Sequence, residues 1–158
     1  MMKRVFSLVL VLILVLSLAG CGKTPQLEDL MNYPVNPGSL SECETFLKQC
    51  GYEITRTSDT AVSFTDGYWE GAGYLNGVSL RYSTIGKSNV DFDKEVDSAR
   101  AMLEALCGPA YSSNESNTIY RMVTEFYTCG SNIVAFSVSY MGSGMDSMDI
   151  AIYPGQAS

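Results

Sequence analysis

The chain has 158 residues, 46% of them hydrophobic, with 17 acidic and 10 basic side chains, five cysteines and no histidine. That balance fits a folded domain rather than a disordered tract, and a net charge of −7 opposes nucleic acid and anionic head groups. Without histidine the chain alone can build no Ser-His-Asp or Cys-His site, and it lacks the commonest nitrogen ligand for zinc or copper.

Residues 1–20 open with Met-Met-Lys-Arg, continue as a Val/Leu/Ile run from Val5 to Leu16, and end in Leu18-Ala19-Gly20 before Cys21. A positive start, an apolar stretch and small residues before a cut site are the parts of an export signal. The run is shorter than the roughly 20 apolar residues a membrane span needs. Leu18-Ala19-Gly20-Cys21 resembles the lipobox of bacterial lipoproteins. The resemblance implies a diacylglycerol on the Cys21 thiol, cleavage before Cys21, and further acylation, by palmitate or a similar chain, of the new amino group. It places the mature chain on the outer side of the bacterial cytoplasmic membrane, or on the outer membrane of a Gram-negative cell. Cleavage leaves 138 residues, and the loss of Lys3 and Arg4 takes the formal charge from −7 to −9. The lipid, not the protein surface, then supplies the membrane attachment.

Residues 21–38 contain Pro25, Pro34 and Pro37 and read as the lipid anchor and a tether, with one helical turn after Thr24-Pro25. As flexible chain they span on the order of 20–25 Å. Residues 39–158 read as a single domain. Ser39-Leu-Ser-Glu42 is a capping box, Leu40, Cys43, Phe46, Leu47 and Cys50 share one helical face, and Gly51 supplies the stop. Strands are predicted over 52–57, 60–65, 68–75 and 78–84, with Asp66-Gly67 and Asn76-Gly77 as two-residue hairpin turns. A second amphipathic helix carries Phe92, Val96, Ala99, Met102, Leu103 and Leu106 and ends at Cys107-Gly108-Pro109. Strands follow over 118–128, 132–140 and 148–153. The favoured fold is α+β, with two amphipathic helices packed on one face of a largely antiparallel sheet. The chain reads as two helix-plus-meander repeats, with Leu80-Arg-Tyr82 aligned on Val138-Ser-Tyr140.

Gly71 and Gly73 alternate on the face of Trp69 and read as room for the indole or a close backbone, not as a phosphate loop. The acids of Asp91-Phe-Asp-Lys-Glu-Val-Asp97 lack the glycine and glutamate of a calcium loop and read as helix N-terminal charge, with Asp91 or Asn89 as cap. No metal or cofactor is implied. Cys43, Cys50, Cys107 and Cys129 are candidate disulfide cysteines. Residues 43 and 50 on one helix stand about 10.5 Å apart, beyond the roughly 7 Å limit. What survives is Cys43–Cys107 with Cys50–Cys129, Cys43–Cys129 with Cys50–Cys107, a single bridge, or four buried thiols.

Tyr68, Glu70 and Tyr74 share a strand face with Tyr82 nearby, and these four are the candidate binding surface, with cross-strand pairing as the duller role. The expected function is a non-catalytic, lipid-anchored binding or interaction protein whose partner is an envelope or extracellular protein. The rival is a carboxylate-dependent envelope hydrolase using Asp66 with Glu70, or Glu125 with Asp149.

Overall fold

The computed structural model describes residues 24–155; the leader and Cys21 lie outside the described residues. The order of elements is α1 (Leu27–Leu30), α2 (Leu40–Gln49), β1 (Glu53–Thr57), β2 (Val62–Thr65), β3 (Glu70–Tyr74), β4 (Gly77–Ser83), α3 (Phe92–Cys107), β5 (Ser112–Ser116), β6 (Arg121–Cys129), β7 (Asn132–Tyr140) and β8 (Ser147–Tyr153). The fold is α+β, and all eight strands form one antiparallel sheet in the order β1-β2-β3-β4-β8-β7-β6-β5.

Strand alternation divides this sheet into two unlike faces. Across the centre, Val78 pairs with Ile152 and Ile152 with Val134, Leu80 with Ile150 and Ile150 with Phe136, and Tyr82 with Met148 and Met148 with Val138. All nine side chains are buried. Both longer helices cover this inner face. Leu47 of α2 lies over Gly73, whose neighbour in register is Val78, and Arg100 of α3 reaches Glu125, whose neighbour in register is Phe136. The opposite, outer face carries Ser63, Ala72, Ser79, Ala151 and Ala135 in one row.

Helix boundaries follow the local chemistry. Ser39 Oγ accepts from the Glu42 N–H at 3.4 Å, while Glu42 returns to the N–H of Gly38 rather than to that of Ser39. Asp91 caps α3 by accepting from the Lys94 N–H. Gly51 stops α2 at φ 92°, in the left-handed region that favours glycine.

The boundary expected at residue 39 moves. Leu27, Leu30 and Tyr33 are buried in the same core as Leu47 and Phe64, so the packed part of the chain extends back to Leu27. Tyr33 donates to the Tyr74 carbonyl at 2.8 Å, and Asn132 Nδ2 donates to the Met31 carbonyl. Two turns differ as well. Thr65 pairs with Glu70, so Asp66-Gly67-Tyr68-Trp69 is a four-residue loop; Asp66 Oδ1 accepts from the N–H groups of both Tyr68 and Trp69 and holds it open. Tyr74 pairs with Gly77, which makes Leu75-Asn76 the two-residue turn.

β5 lies where no strand is predicted. Its sequence Ser-Ser-Asn-Glu-Ser is polar and mostly exposed, which suits an edge that must not pair with other chains. Its presence also corrects the alignment of Leu80–Tyr82 with Val138–Tyr140. Those segments lie on the fourth strand after α2 and the third after α3, and β8 separates them in the sheet.

Candidate functional site

On the outer face, Glu70, Arg81 and Asp149 stand side by side on β3, β4 and β8, followed by Ser137 and Thr124. Arg81 Nε donates to Asp149 Oδ1 at 2.7 Å. That hydrogen bond and the carboxylate's charge, with a smaller contribution from Glu70, hold the guanidinium above its ordinary pKa. The next row is Ala72, Ser79 and Ala151, small side chains that leave the backbone low between their larger neighbours. Tyr74 and Tyr153 stand at one end, 39% and 50% exposed.

Large residues around a floor of small ones produce a shallow trough. One depression, about 530 Å³, is lined by Thr65, Tyr68, Glu70, Arg81, Ser83 and Lys87. A second depression of about 350 Å³ lies against Tyr74, Ser79, Ala151 and Tyr153. A third, of about 270 Å³, shares Glu70 and Arg81 with the first and Tyr74 and Ser79 with the second, and so joins them. The trough offers hydroxyls, one guanidinium between two carboxylates, the Lys87 ammonium and three aromatic rings. That set suits hydrogen bonding and broad ring contact with an extended polar ligand or a protein segment.

The four expected surface residues separate. Glu70 and Tyr74 line the trough, and Tyr68, 45% exposed, lines its 530 Å³ end beside Glu70. Tyr82 does not: it is 2% exposed and lies on the inner face with Leu80 and Val78. Tyr68 belongs to the loop before β3, not to the strand, and folds over the end of the sheet to stack on Tyr82 at 4.8 Å between ring centroids. Its hydroxyl donates to Glu95 on α3, and Lys87 Nζ sits 3.7 Å from the Tyr82 ring centroid. Burial first, then the Glu95 carboxylate, pushes the Tyr68 phenol well above its usual range. This cluster pins the β4–α3 connection and frames the trough from one end. Arg81, Ser79 and Ala151 carry the site without having been singled out. The signal was present in Val78-Ser-Leu-Arg-Tyr-Ser83, a strict alternation that sends Arg81 and Tyr82 to opposite faces.

The expected Glu125–Asp149 pair does not converge. Glu125 is on the inner face, where Arg100 Nε meets both its oxygens at 3.1 and 3.0 Å and Tyr127 donates to it at 2.9 Å, whereas Asp149 is on the outer face. Asp66 spends one carboxylate oxygen on its own turn. Gly71 and Gly73 make room for Phe64 and for Tyr33 with Leu47, not for the indole of Trp69.

The cysteines also sit differently from either expected set of bridges. Cys43 and Cys50 are buried at α2, and the carbonyls of Ser39 and Tyr74 lie 3.6 and 3.7 Å from Cys43 Sγ, either one able to accept its single S–H. Cys107 and Cys129 interact where the end of α3 meets the end of β6. Among the described residues no disulfide is formed, no cluster of metal-ligating side chains occurs, and no helix is long and apolar enough to cross a membrane. No family model, curated protein or solved structure matches the chain.

Proposed function

We propose that the chain is a lipid-anchored, extracytoplasmic, non-catalytic binding protein whose working surface is the outer face of the sheet. One observation carries this reading. Both helices cover the same face, so the other face of an eight-stranded sheet is left with a continuous trough bounded by Tyr74, Tyr153, Glu70, Arg81 and Asp149. The partner fitting that surface is an envelope or extracellular protein presenting an extended polar segment. A diacylglycerol on Cys21 would fix the domain to the outer side of the membrane. Because Leu27 is already part of the core, the six steps from Cys21 reach at most about 20 Å, which keeps the domain close to the bilayer.

Fatty-acid labelling in a bacterial host tests the anchor, and label persisting in Cys21→Ala would refute it. Ser79→Arg and Ala151→Arg fill the trough from its floor and test the surface. Each should reduce recovery of the same partner from membranes by tenfold or more while leaving Tm nearly unchanged. Undiminished recovery contradicts the assignment.

We also infer that α2 with β1–β4 and α3 with β5–β8 descend from one helix-plus-meander unit. The sheet order supports this, since the fourth strand of each half meets its counterpart antiparallel at the centre. If either half, made alone, formed a stable dimer with the same central pairing, the reading would gain; monomeric unfolded halves count against it.

A further inference from the structure

Cys107 is the last residue of α3 and Cys129 the last of β6, at the hairpin end of the strand, where Cys129 pairs with Asn132. The two thiols interact directly, and Cys129 Sγ donates to the carbonyl of Leu106 at 3.6 Å, so the sulfur of β6 lies against the last turn of the helix. Both side chains are half-buried at the margin of the core. The backbone between them is held on the sheet, with the Tyr111 N–H donating to the Phe126 carbonyl at 2.9 Å. With Cys129 Sγ 3.6 Å from the carbonyl of the residue before Cys107, the two cysteines are neighbours on separately anchored elements, the juxtaposition a bridge starts from.

We propose that Cys107 and Cys129 are a disulfide-forming pair, oxidised by a disulfide donor, that staples the C-terminal end of α3 to the β6–β7 hairpin. The pairing rests on this contact and not on the proposed function, although an extracytoplasmic address would favour the oxidised form. In the first step one cysteine thiolate attacks a donor RSSR; a mixed disulfide forms, the donor S–S bond breaks, and RS⁻ leaves and takes up a proton. In the second step the other cysteine thiolate attacks the protein sulfur of the mixed disulfide and releases a second RS⁻, which is protonated to RSH. Two cysteines lose two hydrogens and two electrons, and the donor becomes two thiols. Burial, with Cys129 beside it, pushes the Cys107 thiol up to about 12, so the thiolate is scarce near neutral pH and exchange runs faster in mild alkali.

The test uses the full chain in detergent, reduced with dithiothreitol and then brought to equilibrium with oxidised glutathione at about pH 8.5. Non-reducing digestion should yield one cross-linked peptide pair joining Cys107 to Cys129, two hydrogens lighter than the separate peptides. Closing a loop of about twenty residues should raise Tm by roughly 10 °C, reversibly on reduction. Cys107→Ser and Cys129→Ser should each abolish both effects. Unaltered thiols, glutathione on either cysteine without a link, or a link from either to another cysteine overturns the proposal. If a serine variant fails to fold, the peptide map of the unsubstituted chain decides alone.

Discussion

Gly71→Ala should destabilise the domain although alanine suits a strand better than glycine. A Cβ at Gly71 would lie 2.5 and 2.8 Å from two ring carbons of Phe64 and closer still to a third. Ordinary carbon contacts are about 3.5–4.0 Å, so the overlap exceeds half an ångström at each atom. Phe64 cannot step aside: it is 1% exposed, pairs with Gly71 across β2–β3, and packs edge-on against Tyr52 at 4.8 Å. Overpacking of this kind costs about 1–3 kcal/mol, against a backbone gain from alanine of about 0.5–1 kcal/mol. Three ring atoms overlapping at once put the cost in the upper part of that range, about 2–3 kcal/mol, so the net loss is about 1–2.5 kcal/mol, a fall of roughly 3–10 °C in Tm. Calorimetry with a double-mutant cycle checks both size and cause. Phe64→Leu alone should destabilise, but Gly71→Ala added to Phe64→Leu should cost less than Gly71→Ala in the unsubstituted chain. A neutral or stabilising Gly71→Ala refutes the reasoning.

Other perturbations address the inner layer. Arg100→Met keeps the aliphatic stem but removes the partner of Glu125, whose side chain is 15% exposed; denaturant titration should show a loss of about 2 kcal/mol, largely restored by adding Glu125→Gln. Asn132→Ala removes the donor to the Met31 carbonyl and the acceptor for the Gly155 N–H, and should lower the urea midpoint by the equivalent of about 1–3 kcal/mol. Burial raises the phenols of Tyr33, Tyr52, Tyr68 and Tyr127 above their ordinary value of 10.0. A folded-state pKa above the unfolded one favours the neutral form. Its contribution is complete below about pH 10 and is lost as pH rises beyond it, so the urea midpoint should hold between pH 8 and 9.5 and fall by pH 11. A constant midpoint through pH 11 contradicts that burial.

The parts legible in the sequence were those written in local chemistry. Ser39 and Asp91 announced α2 and α3 because caps and apolar stripes act within one or two turns. Ser112–Ser116 gave no strand signal because an edge strand paired on one side needs neither alternation nor β-branched residues. Leu27, Leu30 and Tyr33 were hidden by the surrounding prolines, although their spacing of three suited one buried helical face. The site was half legible. Glu70, Tyr74 and Tyr68 line the open face as expected, Tyr68 from the Asp66–Trp69 loop, whereas Tyr82, grouped with them only as lying on the neighbouring strand, alternates with Arg81 and turns inward. Arg81 and Asp149 needed the β4–β8 pairing, a contact between strands 68 residues apart. The Cys107–Cys129 contact depends on the same long-range assembly.

The most direct test of the proposed function is photo-cross-linking from each side of the domain on intact cells producing the chain. A benzophenone side chain placed at Tyr74 or Ala151 reports the outer face, and one at the exposed Ala105 of α3 reports the helix layer. An outer-face working surface predicts one discrete adduct shared by the Tyr74 and Ala151 positions and absent from Ala105. Equal adducts from both sides, or none from the outer face, contradict it.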